Sequence, residues 1–253
     1  MLRDVLNRYC NGEISLDEAE KLIEGLRLEA VGNLACLDLG RPVRCGIPEV
    51  ILAEGKEVDQ LVRIAKEAVN SAGRCVISRL SPEHRHAIRE MEMQDCLAVT
   101  FHDMAHMAVI SRISAPEPTG GVVAIITAGT SDIKVAEEAR VIAEEMGCRV
   151  CSAYDVGAAG IHRLFPAIRQ CIDAHVFIVA AGREGTLPAI VAGLVNRPVI
   201  GVPVSTGYGY MGHGKAALAS MLQSCSVLAV VNIDSGFTAG AFAAQIANMV
   251  AEK

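Results

Sequence analysis

From residue 122 onward, short apolar runs alternate with longer helical patterns, and this alternation leaves the chain few folds. Residues 122–127, 149–153, 175–180, 198–202 and 227–232 read as strands, and 132–146, 158–172, 186–195, 214–223 and 236–251 as helices. Runs such as Val176-Phe177-Ile178-Val179-Ala180-Ala181 are apolar at every position, so both faces of these strands must be covered. Five successive βα units then require a parallel sheet with helices on both sides. The expected strand order is 2-1-3-4-5, with ligands bound outside the carboxyl ends of the strands.

Residues 1–116 are less regular and read as a smaller N-terminal helical or α+β domain. Residues 4–28 carry Leu6, Leu16, Ala19, Leu22, Ile23 and Leu26 at helical spacing, with Ser15 and Glu18 placed as a capping box. Strands at 50–52 and 75–78 flank a helix near 57–72. The turn-rich stretch Ser114-Ala115-Pro116-Glu117-Pro118-Thr119-Gly120-Gly121 is the best boundary before a second domain, 120–253.

Composition removes several functional classes. Of the 253 residues 51% are apolar, yet no uncharged apolar stretch is long enough to span a bilayer, so no membrane association is expected. The charged N-terminus lacks the apolar core of a signal peptide. Nine cysteines without small-scaffold spacing point to reduced thiols, and with the missing leader to the cytoplasm. A net charge of −6 with interleaved signs, and only 4% aromatic residues, argue against nucleic-acid binding.

The chemistry concentrates in loops between strands and helices. Thr127-Ala128-Gly129-Thr130-Ser131-Asp132 offers glycine, hydroxyls and helix N–H groups suited to a phosphate or carboxylate; helix capping by Ser131 or Asp132 is the plainer alternative. Ser152 to Arg163 gathers Tyr154, Asp155, His162 and Arg163 around glycines. Ala181 to Pro188 places Gly182, Arg183 and Glu184 at a strand end, where charges between glycines favour a ligand role. Arg163 and Arg183 serve either as phosphate clamps or as ordinary ion-pair partners. Pro203 to Lys215 holds four glycines with His213 and Lys215, a mobile, phosphate-friendly loop. Cys148 and Cys151 fall on opposite faces of a strand and read as structural thiols, not half a zinc site. His84, His86, His102 and His106 read as incidental.

Taken together, Thr130-Ser131-Asp132, Ser152-Ala153 and Ala181-Gly182 through Leu187-Pro188 resemble the purine-biosynthesis carboxylases and mutases acting on aminoimidazole ribonucleotide. That resemblance implies a flavodoxin-like domain assembling into an octamer. Those enzymes place a catalytic histidine directly after the Ser-Ala of the second loop, where this chain has Tyr154. The run Tyr154-Asp155-Val156-Gly157 to Gly160-Ile161-His162-Arg163-Leu164 is instead similar to the LarB family, pyridinium-3,5-biscarboxylate mononucleotide synthases of nickel-pincer cofactor synthesis. So are the glycine loop 207–214, Ser220-Met221-Leu222 with Ser224-Cys225, Asn232-Ile233-Asp234 with Gly236-Phe237, and the N-terminal run from Asp38 to Val50 with Gly55-Lys56.

The LarB resemblance implies that nicotinic acid adenine dinucleotide gains a carboxylate at ring C5 from carbon dioxide or bicarbonate, and that its phosphoanhydride is hydrolysed to release AMP. It places a covalent role on Cys225. Glu184 is the first candidate for the base that removes the C5 proton, ahead of Asp155 and His213. Thr130, Ser131, Arg163, His213 and Lys215 are the main dinucleotide contacts, with Asp132, Tyr154, His162, Gly182 and Arg183 beside them. Mg²⁺ is the expected cation, held by Asp132 and Asp155 directly or through water. Cys225 lies between a helix and the following strand, at the wrong end for these loops, so an interfacial site completed by a neighbouring subunit is expected. A purine-type carboxylase or mutase and a non-catalytic nucleotide-binding regulator are the alternatives.

Overall fold

The computed structural model describes residues 2–252 and divides into two compact units, one running to Phe101 with His106–Ser114, the other comprising His102–Ala105 and the chain from Ala115. No helix among the described residues is long and apolar enough to cross a membrane.

The first unit runs α1 (Leu2–Cys10), α2 (Leu16–Glu24), β1 (Glu29–Val31), β2 (Ala35–Leu37), α3 (Arg41–Cys45), β3 (Val50–Leu52), α4 (Val58–Ala72), β4 (Arg74–Ser78), α5 (Pro82–Asp95), β5 (Ala98–His102) and β6 (Met107–Ser111). Ser15 and Glu18 form the capping box that starts α2. A β1–β2 hairpin accompanies a four-stranded sheet of order β3-β4-β6-β5. Leu61, Ile64, Ala65 and Ala68 line one face of α4 and pack with Ile77, Ile88 and Ile110 in a single apolar core. Sequence periodicity missed α5 because most of its residues are polar and only His84, Ile88 and Met91 are buried. His84 and His86 diverge: His84 Nε2 lies 2.9 Å from the Lys56 carbonyl oxygen, while exposed His86 faces Glu90.

The second unit runs β7 (Val122–Thr127), α6 (Ile133–Glu145), β8 (Arg149–Ala153), α7 (Leu164–Gln170), β9 (Val176–Ala181), α8 (Leu187–Ala192), β10 (Val199–Pro203), α9 (Lys215–Leu222), β11 (Ala229–Val230) and α10 (Gly236–Ala251). Its five parallel strands lie in the order β11-β10-β9-β7-β8, which is the expected 2-1-3-4-5. Alternate strand residues divide the layers. Ala124, Ile126, Phe177 and Val179 pack with Leu164 and Ile168 of α7, Leu187 and Val191 of α8, and Met221 of α9. On the other face α6 and α10 lie side by side, closely enough that a Cβ at Gly240 would stand 2.5 Å from the Ala139 carbonyl oxygen. The result is the flavodoxin-like three-layer α/β fold.

Three departures concern the functional loops. Residues 130–132 form a 3₁₀ turn before α6, so their side chains stay in the loop. The helix expected over 158–172 is a 3₁₀ segment followed by the short α7, broken at Gly160, whose φ of −123° leaves helical space. The strand expected over 227–232 shrinks to two residues because the preceding segment, with Val227 95% exposed, lies outside the sheet. One cysteine expectation is also corrected. Cys151 of β8 and Cys171 after α7 form a disulfide with Cα atoms 5.8 Å apart, and the other seven cysteines take no part in a disulfide. The two meet because α7 returns along the β8 face that Cys151 occupies, so the crosslink closes around the whole Ser152–Arg163 loop. Cys148 faces the other layer, where its thiol reaches Asn248 and the Ala244 carbonyl.

Candidate functional site

All five strands of the second unit run parallel, so the loops after β7, β8, β9, β10 and β11 emerge at one edge of the sheet. Asp132 lies at the centre of this edge. The residue is 4% exposed, and its carboxylate accepts the Gly129 N–H at 2.9 Å and the Thr206 hydroxyl at 3.3 Å. The residue therefore ties the β7 loop to the β10 loop, a different task from the simple cap that was its alternative reading. Gly182 allows this closeness: a Cβ there would lie 2.7 Å from Thr206 Oγ1 and 2.9 Å from Asp132 Oδ1. A Cβ at Gly207 would in turn overlap the Gly182 carbonyl oxygen. Three loops thus cross at two glycines, and no side chain fits between them.

The β11 loop adds the carboxylate of Asp234, which the sequence marks only as part of a family motif and not as a site residue. Asp234 takes a φ of 55°, accepts the Ser205 N–H at 2.9 Å, and raises the Asp132 pKa electrostatically. The same rule that singled out four strand-to-helix loops applies to this fifth one. Among the described residues of the second unit the non-glycine residues with positive φ are Asp155 (58°), His213 (56°) and Asp234 (55°), each on a loop of this edge. Backbone strain of this kind persists where surrounding contacts enforce it, and it concentrates at functional sites.

Burial is the largest influence on Asp132 and, helped by Asp234, holds its carboxyl above the ordinary 3.8 despite bonds from Gly129, Thr206 and Gly182. A raised folded-state pKa means that the protonated form contributes stability below about pH 4, and that this contribution fades as pH rises through the shifted value. Asp132→Asn keeps an acceptor for Gly129 and removes the titration. Its unfolding midpoint relative to the wild type should therefore climb between pH 4 and 7. A constant offset across that range would refute the assignment.

The β8 loop splits between two environments. Asp155 donates its N–H to Thr127 Oγ1 at 3.1 Å, and its exposed carboxylate pairs with Arg163 at 2.9 Å. This is the ordinary ion-pair role anticipated for Arg163, held on the site edge. Tyr154 turns away: its hydroxyl donates to Glu137 of α6, which Arg140 grips with bonds of 2.8–3.0 Å. Burial, followed by the Glu137 bond, pushes the phenol up to about 12. Burial alone would raise the Glu137 pKa, but the Arg140 and Tyr154 bonds outweigh it and leave that pKa lowered. Tyr154→Phe deletes a bond to a charged acceptor and should destabilise the fold by about 1.5 kcal/mol in chemical denaturation. An unchanged midpoint would show that the bond contributes nothing.

The remaining expected residues take varied positions. Thr130, Ser131, His162, Arg183, Glu184, His213 and Lys215 are exposed on the loop edge, and Gly182 is buried beneath them. Arg183 stacks over the Tyr208 ring, its guanidinium carbon 4.0 Å from the centroid. Cys225 is exposed and stands before β11, whose Ala229 pairs with Ile200 at the start of β10. It is therefore at the amino end of the sheet, opposite the loop cluster of its own chain. Among the described residues no group of three or more His, Cys, Asp or Glu side chains converges to hold a metal ion.

Fold and site together define an α/β domain whose 2-1-3-4-5 sheet gathers its strand-to-helix loops at the carboxyl ends of the strands, the edge where such folds bind ligands. Residues 122–253 match the AIR carboxylase family, and residues 28–112 match the LarB/PurE-like N-terminal domain. The chain belongs to the AIR carboxylase family, an enzyme family of the carboxylase and mutase type. It is 42% identical over 254 residues to an uncharacterized protein of Methanocaldococcus jannaschii, covering 98% of each chain. The N5-carboxyaminoimidazole ribonucleotide mutase of the same organism is 35% identical over 129 residues, 49% of this chain and 77% of its own. That of Thermotoga maritima is 32% identical over 132 residues, 49% of this chain and 73% of its own.

Proposed function

We propose that this protein carboxylates the pyridinium C5 of nicotinic acid adenine dinucleotide and cleaves the phosphoanhydride, giving pyridinium-3,5-biscarboxylate mononucleotide and AMP. Tyr154 carries this reading within the family. Where the resemblance places a catalytic histidine in the purine enzymes, this chain has a phenol locked onto Glu137 with its pKa pushed up to about 12. Such a group does not exchange protons near neutral pH, so the purine reaction lacks its proton carrier.

The chemistry calls for a nucleophile that can also leave. A pyridinium ring is electron-poor, and its C5 does not attack carbon dioxide directly. Addition of the Cys225 thiolate at C6 breaks aromaticity and leaves an enamine, whose C5 forms the new bond to carbon. A base then takes the C5 proton, the C–S bond breaks, and the aromatic pyridinium and the thiolate return. Glu184, exposed beside Arg183 on the β9 loop, is the base in this scheme. Arg183, Lys215 and the hydroxyls of Thr130 and Ser131 meet the phosphates. Cys225 comes from a neighbouring subunit of a homo-oligomer; its exposure beside Leu222 and Val227, 66% and 95% exposed, supports a protein-covered surface there.

Magnesium does not fit a site built by Asp132 and Asp155. The first is engaged by Gly129 and Thr206 and the second by Arg163, so no step is routed through the metal.

The direct test incubates the pure protein with nicotinic acid adenine dinucleotide, bicarbonate and Mg²⁺, and follows AMP together with product mass. A mononucleotide carrying one added carboxylate is the expected product. Turnover of N5-carboxyaminoimidazole ribonucleotide instead would overturn the proposal, as would dinucleotide binding without AMP release.

A further inference from the structure

The β10 loop is built unlike the others. Its base is pinned: the Gly207 backbone lies against the Gly182 carbonyl, and the His213 N–H returns to the Gly207 oxygen at 3.0 Å. Its tip is open, since a Cβ at Gly209, where φ is +94°, would meet nothing within 4 Å. The tip carries Tyr208 and Tyr210, two of only four tyrosines in a chain with no tryptophan. Tyr208 is 77% exposed with Arg183 on its ring, and Tyr210 is 101% exposed. Leaving a large ring in water forgoes the burial that normally stabilises it. A tyrosine ring on a short, pinned loop offers a flat face at small entropic cost, and aromatic bases stack on such faces without regard to their hydrogen-bonding edges.

We infer that Tyr210 stacks on the aromatic base of a nucleotide ligand, while Tyr208 holds the Arg183 guanidinium in place for that ligand's phosphate. The same loop edge supplies the other groups: exposed hydroxyls at Thr130 and Ser131, and Lys215 opening α9. The division of labour makes Tyr210 a specificity residue and Tyr208 a positioning residue. For the ligand's identity this rests on the dinucleotide reading, in which the pyridinium end must reach Cys225 and the adenine is left for the loop.

Titration calorimetry with AMP and with ribose 5-phosphate separates base from phosphate. The wild type should bind AMP more tightly. Tyr210→Ala should weaken AMP about tenfold and leave ribose 5-phosphate unchanged, whereas Tyr210→Phe keeps the ring and should bind like the wild type. Tyr208→Ala should weaken both ligands by similar factors. Equal affinity of the wild type for the two ligands, or equal losses on both in Tyr210→Ala, would overturn the inference. Dinucleotide turnover is measured on the same preparations. Wild-type product formation with an unaffected Tyr210→Ala sinks the stacking role alone. A selective AMP loss without any turnover sinks the carboxylation reading and leaves the stacking role standing.

Discussion

Cys225→Ala should abolish mononucleotide formation, with a fall in turnover on the order of 10⁴-fold or more, as for loss of other covalent nucleophiles. The thiol is exposed, so the substitution should leave the unfolding midpoint within about 0.5 kcal/mol of the wild type. Loss of turnover can therefore be separated from loss of fold. Binding of the dinucleotide should survive, because the loops proposed to hold it stand at the other end of the sheet. A second experiment tests where the sulfur acts. Cys225→Ala and Glu184→Ala proteins, each expected to be inactive, are unfolded and refolded together. If one subunit supplies the sulfur and another the base, mixed oligomers contain some sites with both groups, and a fraction of activity returns. No recovery in demonstrably mixed oligomers would place both residues in one chain's site, against the topology. Product from Cys225→Ala at the normal rate would remove the thiol from the chemistry and leave the reaction to be explained otherwise.

Gly207→Ala should lower kcat/KM by about 100-fold while the rest of the protein remains folded. The added methyl overlaps the Gly182 carbonyl oxygen, a backbone atom that cannot rotate aside. The loop has to lift, which draws Thr206 from Asp132 and misplaces Arg183; displacements of about 1 Å at a site commonly cost this much rate. Stability should fall by about 1–3 kcal/mol, the usual range for overpacking. Gly209→Ala is the matched control. It strains a positive φ yet meets no neighbour within 4 Å, so its effect on rate should be several-fold at most. Equal effects from the two substitutions would show that loop entropy, and not the crossing at Gly182, sets activity.

Much of this molecule is legible from its residues in order. The parallel sheet, its strand order and the positions of four functional loops follow from apolar runs of five or six residues separated by helical patterns, because period and length are local properties. Glycine clusters with charges at strand ends marked the loop edge for the same reason. Other features depend on what lies across space. By family resemblance Tyr154 stands among the ligand contacts; only packing against α6 reveals Glu137 as its partner. For Asp132 the sequence offers a ligand contact or a helix cap; Thr206, 74 residues later, on its second oxygen is visible only in the fold. Asp234 and the Cys151–Cys171 bond likewise join segments that only the fold brings together. Sequence by itself determined the layers and the edge of the sheet where the candidate loops gather, since both arise from hydrophobic periodicity and chain direction. Which side chains meet there, and which turn away to hold the scaffold, was decided by tertiary structure, because hydrogen bonds between loops depend on distances that no local pattern encodes.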